Sequence, residues 1–60
     1  MNTMHMDALE DAAQLPSGTI NADYFTVSEL IALGYATPRE QGKPQITSEG
    51  RIALHAALSA

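Results

Sequence analysis

Glycine and proline cut the second half of this 60-residue chain into short pieces, and that punctuation limits its fold more than any other feature. The apolar run Leu30-Ile31-Ala32-Leu33 stops at Gly34, a position after a helix where glycine alone takes a positive φ cheaply. Pro38 and Pro44 then bracket the polar stretch Arg39-Glu40-Gln41-Gly42-Lys43. Proline has no N–H to give to a ladder, so neither can stand inside a central strand. Tyr35-Ala36-Thr37 and Gln45-Ile46 are therefore expected as two short extended pieces joined by a hairpin, with Gly42 at its tight position. A two-stranded ribbon of this size is too weak to stand alone and must pack on helices.

Three helices are expected to supply that support. Residues 1–5 read as a flexible terminus and residues 6–60 as one domain. From Met6 to Leu15, Asp7, Glu10, Asp11 and Gln14 recur at helical spacing as one polar stripe, opposite Met6, Leu9, Ala12 and Ala13. Pro16-Ser17-Gly18 ends this helix in a turn. A second helix runs to Leu33, with Asn21, Asp23 or the pair Thr26 and Glu29 as alternative caps. Tyr24, Val27, Leu30 and Ile31 form its apolar stripe. Thr47 caps a last helix with Ser48 and Glu49 in its first turn. That helix is apolar almost all round, through Ile52, Ala53, Leu54, Ala56, Ala57 and Leu58, so burial on more than one side is expected.

The stretch from about Asp23 to Leu58 resembles the recognition helix, wing and following helix of winged helix-turn-helix domains. In such domains an apolar residue and a glycine end the recognition helix, as Leu33-Gly34 would here. The wing is a hairpin with a charged tip, as residues 39–43 would form, and its second strand runs into a phrase much like Ile46-Thr47-Ser48-Glu49-Gly50-Arg51-Ile52-Ala53-Leu54. The resemblance implies an α+β fold: a small winged-helix-like domain whose wing is a two-stranded β-ribbon. It also implies that Gly50 lets the last helix approach the wing closely. The DNA-binding function it implies would use Arg39 and Lys43 on phosphates, with Arg51 assisting, and Thr26 and Ser28 facing bases. The chain departs from this pattern in charge. The 23–33 helix has no lysine or arginine and carries Asp23 and Glu29, whereas base reading leans on Arg, Lys, Asn and Gln.

The formal net charge is −4, with all five charges of residues 1–30 acidic and a balance of +1 over residues 31–60. An acidic chain repels nucleic acid and anionic membranes at long range. Without cysteine there is neither a disulfide nor a cysteine-ligated zinc site. No apolar run approaches the length of a membrane span, and the first residues lack the basic and apolar stretches of a secretory signal, so a cytoplasmic protein is expected. The serines have only His5 and His55 as potential bases, at spacings that suggest no triad. His5 with Asp7, Glu10 and Asp11 is more simply a solvated acidic face than a metal site. The four glycines make no phosphate-binding pattern. No enzyme activity, cofactor or metal is therefore expected. Tyr24, Phe25 and Tyr35 are the only aromatics, and core packing is expected for at least two of them.

A core this small rarely gives more than roughly 3–5 kcal/mol. Together with the apolar last helix, this favours a non-enzymatic protein-interaction or dimerisation module. Its partner is another protein or a second copy, and Ile52, Leu54 and Leu58 are the candidate contacts.

Overall fold

A computed structural model describes residues 2–60. Within them the chain forms helices α1 (Thr3–Gln14), α2 (Tyr24–Ala32) and α3 (Ser48–Leu58), with a single 3-10 turn at Arg39–Gln41. No helix among these residues is long and apolar enough to cross a membrane.

The architecture is mostly α, which corrects the expected α+β fold and its ribbon wing. Among the described residues there is no β-strand and no sheet, only isolated antiparallel bridges pairing Thr19 with Gln45 and Ala36 with Ile46. The physical cause lies in the loop. Between Pro38 and Pro44 the backbone closes as a 3-10 turn, with Gln41 N–H donating to Pro38 O and Gly42 N–H to Arg39 O. Residues 45–46 are thus gripped from two sides over one or two residues each. Ile46 N–H donates to Gly18 O at 2.8 Å, Thr37 N–H to Gln45 O at 2.9 Å and Thr47 N–H to Tyr35 O at 3.0 Å. A segment this short, with a proline on one flank and a helix cap on the other, cannot propagate a ladder.

Each helix end has a local chemical reason. α1 begins at Thr3, three residues before its expected start. The Asn2 side chain accepts from His5 N–H at 2.9 Å, and His5 Nδ1 accepts from Asn2 N–H at 3.4 Å, a reciprocal cap built with histidine. Residues 3–5 of the terminus expected to be flexible are therefore helical, and Met1 lies outside the described residues. Among the alternatives for α2, Asp23 is the cap. At its far end Tyr35 N–H donates to Leu30 O at 2.9 Å and Gly34 N–H to Ile31 O at 3.0 Å, with Gly34 at φ +82. That is the two-bond glycine stop, which satisfies carbonyls the helix leaves free. Thr47 caps α3 by accepting from Gly50 N–H at 3.0 Å, and its hydroxyl donates to Gly34 O at 2.7 Å. One threonine so ties the start of α3 to the end of α2.

α1 is the central element and packs on both α2 and α3. Leu9 and Leu30 are fully buried, surrounded by Ala8, Ala12, Ile20, Val27, Ala36, Ile46 and Leu54. α3 comes close because Gly50 has no side chain: a Cβ there would stand 2.6 Å from the Tyr35 carbonyl oxygen.

Candidate interaction site

α3 turns Gly50 and Leu54 into the core, with Ala53 and Ala57 half-buried beside them. Three of these four are small, so the buried stripe is narrow. The opposite side carries Ile52 (69% exposed) and Ala56, while Leu58 (58% exposed) stands one turn after Leu54 on the flank of the buried stripe, exposed at the helix end. Of the three candidate self-association residues, Ile52 and Leu58 thus lie on the surface and Leu54 belongs to the core. The expectation that α3 is covered on more than one side is not met within this chain.

A second apolar feature stands at the start of α2. Tyr24 is 66% exposed and Phe25 77% exposed, their rings in an edge-to-face pair 5.7 Å apart. Core packing was expected of at least two aromatics, but only Tyr35 packs against the core. The reason is the rotation of α2. Thr26, Val27 and Leu30 face inward, which turns the two residues just after the Asp23 cap outward. The Arg39 guanidinium lies 4.1 Å from the centre of the Tyr24 ring. It is held there by donating to Ser28 Oγ at 3.0 Å and to the Tyr24 carbonyl at 3.1 Å. A cation over an aromatic face, fixed by two hydrogen bonds, makes a rigid knob.

These contacts also place the candidate nucleic-acid residues. Thr26 is buried, and its hydroxyl and N–H both donate to the Asp23 carboxylate. Ser28 and Arg39 are brought together and bond each other. Lys43 and Arg51 are exposed. The Thr26 hydroxyl, and after it the Thr26 N–H, hold the Asp23 carboxyl below the usual carboxylate range.

Beside the knob is an open hollow of about 230 Å³ lined by Met4, Asp7, Asp11, Asn21, Asp23 and Thr26, together with Ala8 and Ala22. A second, of about 480 Å³, lies where the start of α1 meets the end of α2, lined by Asn2, His5, Glu29, Ala32 and Leu33. His5 is buried, and its Nε2 lies 3.3 Å from Glu29 Oε1. Because Nδ1 accepts from Asn2, the neutral ring carries its proton on Nε2 and donates it to Glu29. Sequence reasoning put His5 in a loose terminus and missed its buried place in α1, although Asn2 three positions ahead of it is a cap signal. Among the described residues no group of three His, Asp or Glu side chains is arranged to hold a metal ion. Compared with protein-family models, with curated proteins and with solved structures, the chain matches none.

Proposed function

We propose that this chain is a non-enzymatic protein-interaction module that dimerises through the outward face of α3. One observation carries the reading. Among the described residues seven large apolar side chains are exposed (Met4, Leu15, Tyr24, Phe25, Leu33, Ile52 and Leu58), against six that are buried (Leu9, Ile20, Val27, Leu30, Ile46 and Leu54) and three that are half-buried (Met6, Ile31 and Tyr35). Loose folding does not account for this. The surface of 3847 Å² is close to the roughly 3,800 Å² of a folded monomer of this mass. The chain is compact and still leaves Ile52 and Leu58 of α3 and the Tyr24–Phe25 pair at its surface, apolar groups that a partner would cover. The DNA-binding alternative draws on less, because neither of its two base-facing residues is open: Thr26 is buried against Asp23, and Ser28 accepts from Arg39.

Sedimentation equilibrium over a range of concentrations tests the reading with Ile52→Glu and Leu58→Glu. Both side chains are exposed, so the folded helix content is expected to persist while the associated mass falls. An assembly whose mass both substitutions leave unchanged removes α3 from the interface. A wild type that sediments as a monomer throughout ends the dimerisation reading altogether.

A further inference from the structure

The first turn of α2 belongs to two features at once. Asp23 and Thr26 line the acidic hollow, while Tyr24 and Phe25 form the knob with Arg39. The two features have complementary chemistry. The hollow is lined by three carboxylates and no cation, together with the apolar Met4, Ala8 and Ala22. The knob offers two exposed rings and one guanidinium. Only two of Arg39's five N–H donors are accounted for by Ser28 and the Tyr24 carbonyl, so others remain to meet a carboxylate. A knob lying next to a hollow that suits it is the arrangement a two-fold contact requires, since each residue i that meets j is matched by j meeting i.

We infer that this end of the molecule is a second self-contact, in which Tyr24, Phe25 and Arg39 of one copy close over the Asp7–Asp11–Asp23 hollow of another. Covered aromatics give roughly 150–250 Å² each, so the exposed parts of Tyr24 and Phe25 supply about 300 Å² per copy. That is more than a third of the ~800 Å² per partner in a standard interface, and the rim of the hollow with Arg39 and Met4 provides the remainder. Tyrosine, phenylalanine and arginine are also residue types enriched at protein interfaces. None of the residues named for this contact belongs to α3.

The two contacts separate by mass. The Ile52→Glu chain, with its α3 face disabled, is expected to remain a dimer through the α2 end, and that dimer weakens as salt rises. In that background Arg39→Glu, the pair Asp7→Arg with Asp11→Arg, and Phe25→Ser are each expected to weaken the dimer at least about tenfold. Phe25 is so exposed that its substitution leaves the fold intact, which guards against a charge variant that merely unfolds. Mixing the Arg39→Glu chain with the Asp7→Arg, Asp11→Arg chain restores opposite charges in both halves of the contact, and the dimer mass is expected to return. A monomeric Ile52→Glu chain would overturn the inference while leaving the α3 reading standing. A dimer indifferent to Phe25→Ser and to the charge variants, or a mixture of folded variants that stays monomeric, overturns it as well. A wild-type assembly that Ile52→Glu leaves unchanged and Arg39→Glu dissociates would sustain this contact and remove the one at α3.

Discussion

α1 and α3 are of nearly equal length and pack against each other, but they divide their residues differently. α1 turns His5, Ala8, Leu9 and Ala12 inward and sets Asp7, Asp11 and Gln14 outside, so its apolar stripe is matched by the core it faces. α3 turns in little more than Gly50 and Leu54, and leaves Ile52, Ala56 and Leu58 outside. The difference comes from what each helix can touch. α1 has a neighbour on two sides. α3 is held close on one side by a glycine set against backbone, and on its far side Ile52 and Ala56 are left exposed among the described residues. An amphipathic pattern closed within the fold marks a structural helix. An apolar helix covered on one side leaves the exposed residues on which the proposed self-association rests.

The largest expected effect tests the structural half of that contrast. Leu9 is fully buried on α1, the helix that touches both others. Leu9→Ala is expected to cost about 2–5 kcal/mol. That is of the order of the whole stability of a core this small, roughly 3–5 kcal/mol. The cooperative thermal transition seen by circular dichroism should disappear. A loss no greater than that of an exposed substitution would break the comparison, because α1 would then not be the keystone.

A middle-sized effect sharpens the account of α3. Gly50→Ala improves helix propensity, which alone would stabilise by up to about 1 kcal/mol. It also drives a methyl to 2.6 Å from Tyr35 O, a backbone atom that cannot rotate away, and to 2.9 Å from Ile46 Cγ1. Overpacking of this kind costs about 1–3 kcal/mol, so the net is expected to be a lower melting temperature. A higher one would mean that α3 is not seated against that carbonyl.

Much of this arrangement was legible in the chain. The Gly34 stop, the Thr47 cap and the inward places of Leu9, Val27 and Leu30 follow from spacing and cap chemistry that act within a few residues. The ribbon was not legible, because whether Pro38 and Pro44 flank a hairpin or a 3-10 turn depends on how far the segments beside them can pair. Tyr24 was misread for a related reason. Its spacing with Val27, Leu30 and Ile31 fits a buried stripe, but the rotation of α2 is set by Thr26 bonding to Asp23 and by the seam with α1, neither of which spacing reveals. His5 was hidden in the same way, since its partner Glu29 is 24 residues distant.

The smallest expected effect is a response to acid that differs between the helices. The α3 cap is the Thr47 hydroxyl, which does not titrate in this range, whereas the α2 cap is the Asp23 carboxylate. Thr26 holds that carboxyl below its usual range in the folded chain, so the folded state favours the ionised form. The stabilisation is therefore fully present above the ordinary carboxylate pKa and is lost as pH falls through the lowered folded value. Amide hydrogen exchange followed from neutral pH into strong acid should show the first turn of α2 loosening before the first turn of α3, after correction for intrinsic rates. Asp23→Asn keeps a capping oxygen but cannot ionise, and is expected to abolish the difference. If both first turns loosen together in the native chain, the cap carboxylate does not set the acid response, and the start of α2, which carries both the knob and the rim of the hollow, is no more sensitive to pH than α3.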